Sequence, residues 1–265
     1  ANGIIAKGER LYAEVHTAEA EREYLAAQKT AATLNSALCN TLNAETTYQP
    51  ISSMFILSQI EDVDHFKQLA LNNNPQLRQV GLKKDLAVEG VRLQRADFAP
   101  QVALMGGASF YNYQVTPLMP RWAVGAGVSF KIFDGLNREY KFSAAKSQVR
   151  QVEALNVKAQ HDILTLIDKL YNEMTTYNEQ LPSIDAAYNF AAEYLRIKEE
   201  AFKEGAAPSS DVVDAQLNLA KIKTERLQAA YYYDLMLARL LEACGESEML
   251  TEYARRPAAM PIRYE

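Results

Sequence analysis

Two carboxylates offer the clearest chemistry in this chain. Asp211 and Asp214 stand three residues apart, so on a helix they share one face. They follow Gly205-Ala-Ala-Pro-Ser-Ser210, which reads as a turn: Gly205 suits a helix C-terminus, and Ser209 or Ser210 suits the next N-cap. Acids in a first helical turn complement the dipole and need no further role. Repeated around an axis, the same pair forms a ring that attracts cations. Little other reactive chemistry is in view. His16, His65 and His161 are scattered, and none has a second His or Cys at metal-ligand spacing, so no metal site is expected. No P-loop, nucleophile elbow or Gly-rich dinucleotide turn occurs, and neither catalysis nor a cofactor is expected. Tyr231-Tyr-Tyr233 reads as packing against neighbouring helices.

The elements that position these acids are long helices. From about Arg138 to Lys203 there is no glycine, and Pro182 is the one proline, a residue expected to kink a helix. Apolar or small residues recur in steps of three and four, among them Val152, Leu155, Ile163, Leu166, Leu170 and Met174, close to the repeat of a coiled coil. A continuous helix over this run would be roughly 100 Å long. After the turn, a second helix from Asp211 to about Cys244 returns with Val213, Leu217, Leu227, Tyr231, Leu235 and Leu241 in the same spacing. The pair is a long antiparallel helical hairpin.

Ahead of it lie two alternating stretches, Pro100–Tyr113 and Trp122–Phe133. In the second, Trp122, Val124, Ala126, Val128, Phe130 and Ile132 alternate with small or polar residues, which describes a strand with one greasy face. Its length suits a membrane-crossing strand of about 9–11 residues, and the connection Gln114–Arg121, with two prolines, makes a hairpin. A lone hairpin leaves its edge amides unsatisfied in water or lipid, so it either joins strands from other chains or packs on helices.

The chain also repeats itself. Gly3-Ile-Ile-Ala-Lys-Gly-Glu9-Arg-Leu-Tyr-Ala13 lines up with Gly205–Ala215, and the same offset pairs Ala18 with Ala220, Leu25 with Leu227 and Leu38 with Leu240. In order along the chain stand Asn73-Asn-Pro75 opening a helix, Ala96-Asp-Phe-Ala-Pro100 before the first stretch, and Gly127-Val-Ser-Phe-Lys-Ile-Phe-Asp-Gly135 closing the second. Phe202-Lys-Glu-Gly205, Ser210-Asp-Val-Val-Asp-Ala-Gln-Leu217 and Leu240-Leu-Glu-Ala-Cys-Gly245 complete the series. This order resembles the outer-membrane efflux and secretion channels of the TolC type, over nearly the whole chain.

The resemblance implies a mainly α fold with a β-hairpin. Long antiparallel coiled-coil hairpins form an α-barrel, strands form a transmembrane β-barrel, and there are two repeats, the first truncated. On that plan residues 1–43 descend from a first tip, 44–61 are equatorial, 62–99 lead to the barrel and 100–133 are its hairpin. Residues 138–204 form the long helix, 205–210 the periplasmic tip, 211–245 the returning helix and 246–265 a tail that wraps the equatorial belt or lies loose. The first strand pair, its ascending helix and a signal peptide would lie outside this sequence. The implied function is an exit duct in the outer membrane of a Gram-negative bacterium, most of the chain being periplasmic, that passively conducts substrates in a tripartite efflux or type I secretion system. Its partners would be two further copies in a homotrimer, a periplasmic adaptor, an inner-membrane transporter and outer-membrane lipid. Asp211 and Asp214 match acidic positions that line the periplasmic entrance; at the first tip Glu9 matches Asp211, and Tyr12 replaces the second acid. Gly3, Gly205, Ala206, Ala207, Pro208 and Ser209 would contact the adaptor, although position 207 lacks the basic residue often found in this turn. Trp122, Val124, Val128, Phe130 and Ile132 would face lipid. The competing reading is a structural or adhesive coiled-coil protein whose hairpin caps a bundle.

Composition is compatible with either: 23% charged and 48% hydrophobic residues are ordinary for a folded protein. A net charge of −5 without Lys/Arg runs argues against a nucleic-acid partner. Cys39 and Cys244 exclude a disulfide scaffold; they sit near the ends of equivalent helices, where a bridge or two free thiols would fit.

Overall fold

A computed structural model of the chain describes residues 2–44, 46, 48, 51, 53–108 and 122–262. Its elements are α1 (Asn2–Leu42), β1 (Met54–Leu57), α2 (Val63–Asn73), α3 (Pro75–Ala96), β2 (Gln101–Ala108) and β3 (Trp122–Ser129), then α4 (Asn137–Lys203), α5 (Ser209–Cys244), a 3-10 turn (Ser247–Met249), α6 (Leu250–Arg255) and β4 (Ala259–Ile262). The architecture is mainly helical, with two small two-stranded sheets among the described residues. α4 runs 67 residues as one helix through Pro182. The proline removes one hydrogen bond, and the remaining turns and packing hold the helix together.

The chain divides into two compact units. One holds α2, α3, the β2–β3 hairpin, the first part of α4 and the last residues of α5. Its core gathers Phe66, Ala70, Leu77, Ile163, Ile167 and Cys244. The Asn-Pro motif organises it. Buried Asn74 caps α3 by accepting from the Leu77 amide at 2.9 Å, and its Nδ2 donates to the Ala243 carbonyl at 2.7 Å. Pro75 fills the first helical position, where a missing N–H costs nothing. Gly245 closes the same joint: its φ is +76°, and a Cβ there would fall 2.4 Å from the Asn73 carbonyl oxygen.

The second unit holds α1, most of α5, the later part of α4, β1, α6 and β4. α4 and α5 run antiparallel, tied by Arg226–Asp185 at 2.7 Å and by Tyr177 stacked on Tyr232 at 5.5 Å. Tyr231–Tyr233 thus packs between helices through Tyr232 and the buried Tyr233, while Tyr231 is exposed. The tail is ordered by an apolar patch far upstream: β4 pairs antiparallel with β1, Met54 opposite Ile262 and Leu57 opposite Ala259. Ile56, Leu57, Tyr233, Leu237, Leu240 and Leu241 are fully buried in this core.

A half-buried carboxyl meets the backbone of β1. Asp234 Oδ2 accepts from the Phe55 amide at 3.2 Å, while Oδ1 is buried with no hydrogen-bond partner. Burial pushes this carboxyl up to about 7, partly opposed by the Phe55 hydrogen bond. Nearby, Tyr253 donates to Glu61 at 3.1 Å and Arg256 pairs with Glu61 at 2.8 Å. Burial alone would raise the Glu61 carboxyl, but its own backbone amide and the Arg256 guanidinium bring it below the usual range. No disulfide joins Cys39 and Cys244, which are half-buried and buried respectively.

Candidate functional site

The tip is built by a helix end that needs glycine. At the end of α4, Gly205 has φ +75°, the left-handed region. The Ala206 amide reaches the Ala201 carbonyl at 2.8 Å and the Gly205 amide reaches Phe202 at 3.0 Å, the paired bonds of a Schellman turn. Pro208 precedes α5, whose first turn carries Ser209 and Asp211. Gly3, the proposed counterpart of Gly205, lies inside α1 instead of in a turn.

Asp211, Asp214 and Glu9 each have a partner. Asp211 Oδ2 pairs with Lys198 Nζ at 2.6 Å, the two side chains 35% and 25% exposed. Lys198 also lies 5.4 Å over the Tyr194 ring. The Asp211 hydrogen bond and charge hold the Lys198 ammonium above its ordinary pKa. Asp214 Oδ1 accepts from the Tyr12 hydroxyl at 2.5 Å, and this bond raises the phenol. Glu9 Oε2 accepts from Ser209 Oγ at 3.0 Å. His16 packs edge-on against Tyr12 at 4.5 Å and bonds Glu19 through Nδ1 at 3.1 Å. The fold thus brings Glu9 to Ser209 and Asp214 to Tyr12, and it joins Asp211 to Lys198. Lys198 was missed, and its signal was faint: a lysine about two turns before the turn glycine. Tyr12 is the repeat counterpart of Asp214, and the two equivalent positions meet directly. Ala206, Ala207 and Pro208 lie in the tip turn. No cluster of His, Cys, Asp and Glu able to hold a metal ion occurs among the described residues.

The second candidate surface is the hairpin. Its register sets Val102 opposite Val128, Leu104 opposite Ala126, Gly106 opposite Val124 and Ala108 opposite Trp122 on one face. The other face pairs Gln101 with Ser129, Ala103 with Gly127, Met105 with Gly125 and Gly107 with Ala123. The greasy face is bare: Trp122, Val124 and Val128 are 71, 75 and 71% exposed. β3 stops at Ser129, so Phe130 and Ile132, expected to continue it, stand exposed beyond the strand. The reason is local, because Ser129 already faces Gln101, the first residue of β2, and Pro100 before it has no amide to donate. Residues 109–113 and the connection Gln114–Arg121 lie outside the described residues.

These features agree with what the chain resembles. The family model of outer membrane efflux proteins matches residues 67–246. The outer membrane protein TolC of Vibrio cholerae serotype O1 is 24% identical over 173 residues, 64% of this chain and 39% of that protein. Among solved structures, the outer membrane protein VceC of Vibrio cholerae superposes with a TM-score of 0.73 at 18% identity, covering 92% of this chain and 60% of that one. The open-state outer membrane channel MtrE of Neisseria gonorrhoeae gives 0.75 at 17% identity, covering 91% of this chain and 56% of that one. The chain thus spans 39–60% of these relatives' lengths. With a family model over most of its length, the chain belongs to the outer membrane efflux protein family, the channels of the TolC type.

Proposed function

We propose that this chain forms part of a trimeric exit duct in the outer membrane of a Gram-negative bacterium. The β2–β3 hairpin contributes to a shared transmembrane barrel, and α1, α4 and α5 contribute to a periplasmic helical barrel that opens at the tip. An adaptor engages the turn around Gly205, and an inner-membrane transporter delivers the cargo, which then moves passively through the duct. Glu9, Asp211 and Asp214 line the periplasmic mouth. The observation that carries this reading is the strand register. Every bulky apolar residue of the pair except Met105 falls on one face, and among the described residues that face is exposed. A soluble hairpin would bury such a face; a barrel strand presents it to lipid.

The test compares the two faces in the intact protein. A charge on the lipid face costs roughly 2–4 kcal/mol near mid-membrane. Val128→Arg is expected to block insertion and abolish the heat-modified gel mobility of the trimer, whereas Ala103→Arg, on the opposite face, inserts. Equal tolerance of the two arginines would remove the membrane barrel from the proposal and favour a coiled-coil protein with a hairpin cap.

A further inference from the structure

Where the hairpin meets the start of α4 there is a small polar cavity of about 80 Å³. A water occupies about 30 Å³ in the liquid, so this space suits two or three waters or one tetrahedral oxyanion, far below the roughly 300–1,000 Å³ of a drug-sized site. Its charged lining is Lys131, Arg138 and Lys141 against Asp97 and Asp134. Gln101, Ser129 and Asn137 add neutral hydrogen-bonding groups. Gln101 and Ser129 are register partners on the polar face of the hairpin, so the cavity belongs to that face.

The charges do not cancel. Arg138 is nearly buried, its side chain 12% exposed, and it stands 3.3 Å from Asp134. Its guanidinium lies 5.2 Å over the Phe98 ring, and Nη2 donates to the Ile132 carbonyl at 3.5 Å. The buried Nε finds no acceptor in hydrogen-bonding geometry even with Asp134 beside it. That pair accounts for one cation and one anion. Lys131 and Lys141 have no ion pair with any described carboxylate, and Asp97 has none with any described cation. If the cluster only fastened the strand to the helix, Arg138 and Asp134 would suffice, and the two lysines would have no part.

We infer that this cavity binds a phosphate group that retains a proton, with Lys131, Arg138 and Lys141 holding its oxygens and Asp97 accepting its hydroxyl. A planar guanidinium and two ammonium groups match the charge and oxygen geometry of phosphate. The acids set the selectivity. A carboxylate beside the anion repels sulfate, which has no proton to offer at neutral pH, but accepts a hydrogen bond from hydrogen phosphate or a phosphate monoester. A free phosphorylated solute and a monoester lipid headgroup share this chemistry.

Titration of the intact protein in detergent with inorganic phosphate at pH 7 tests the site. One saturable event per chain is expected, weakened at least tenfold in the Lys131→Gln/Lys141→Gln variant. Both lysines are exposed, so that variant should melt at the wild-type temperature. Sulfate is expected to bind more weakly than phosphate, and Asp97→Asn to narrow the gap. In a second arm, delipidated protein is titrated with phosphatidic acid in mixed micelles. Competition with inorganic phosphate assigns a headgroup, and phosphate binding without competition assigns a free solute. Absence of saturable binding to either probe, or binding unchanged in the double-lysine variant, overturns the site. Sulfate binding as tight as phosphate overturns the role given to Asp97.

Discussion

The helix ends at Gly205 and Gly245 share one backbone geometry, with φ of +75° and +76°, and differ in everything around it. A Cβ at Gly205 would meet open space, whereas at Gly245 it would strike the Asn73 carbonyl. A third end, α1 at Asn43, makes the same turn with a side chain present, at φ +50° and with the Ala44 amide bonded to Cys39 at 2.9 Å. At the tip, then, glycine serves conformation alone and leaves the surface free. At the joint it serves packing, because the backbone of the Asn-Pro motif occupies the space a side chain would need. One motif, used three times, yields a fixed joint and an open tip.

The largest effect follows from the joint. Gly245→Ala combines a left-handed φ, costing about 1–2 kcal/mol, with overpacking against backbone, about 1–3 kcal/mol more. Denaturant midpoints should fall accordingly. Gly205→Ala should lose only the conformational part, about 1–2 kcal/mol. If the two substitutions cost the same, the contrast between joint and tip fails.

The half-buried carboxyl bonded to β1 gives the next effect. The raised folded-state pKa of Asp234 means that the folded chain holds its proton more tightly than the unfolded chain. The stability that Asp234 contributes should therefore be fully present below about pH 4 and be lost as pH rises through about 7, whereas Glu61, held below its usual range, contributes in the opposite sense at acid pH. A shift of this size corresponds to a few kcal/mol at most. Asp234→Asn keeps an acceptor for the Phe55 amide and cannot ionise, so it should abolish this slope and gain stability at pH 8. A wild-type profile parallel to that of Asp234→Asn from pH 4 to 7 would show that water reaches this group.

Much of this fold was legible in the residues, and the gaps share a cause. Alternation from Trp122 identified the greasy face, because a period of two carries side-chain direction in the sequence itself. Spacing of three and four identified the long helices but not their rotation. The spacing puts Leu166 on the apolar stripe, yet it is 40% exposed while Ile167 is fully buried. In α5, Tyr231 faces out and Tyr233 faces in. A stripe drifts around a long helix, so a one-residue phase error costs nothing in pattern and changes every contact. Lys198–Asp211 was missed for that reason, since pairing across helices depends on rotation. The β1–β4 sheet was missed for another: each strand is four residues long, one contains Pro261, and about 200 residues separate them. The Asn43–Glu61 segment and the tail carried no local period to announce the pairing.

The smallest effect on stability falls at the tip, where it sharpens the contrast most. The acids there are paired, Asp214 exposed and Glu9 and Asp211 half-buried, and pairs that water still reaches contribute little to folding because solvent and salt screen them. Melting of Lys198→Gln and Asp211→Ala should match the wild type. Under the duct reading, conduction should respond. With Lys198 beside it, Asp211 contributes little net field at the mouth, and the free field comes mainly from Asp214, whose Tyr12 bond leaves its charge in place. Lys198→Gln should therefore raise cation selectivity in bilayer recordings of the full-length trimer. Asp214→Ala should lower it and should also release the contact between α1 and α5, increasing conductance. The Asp211→Ala/Asp214→Ala variant should show the weakest block by multivalent cations. All three differences should shrink between about 0.1 M and 1 M salt, as the screening length falls from about 10 Å to about 3 Å. Selectivity that ignores Lys198→Gln and Asp214→Ala alike would leave these acids as helix-end clips with no part in conduction.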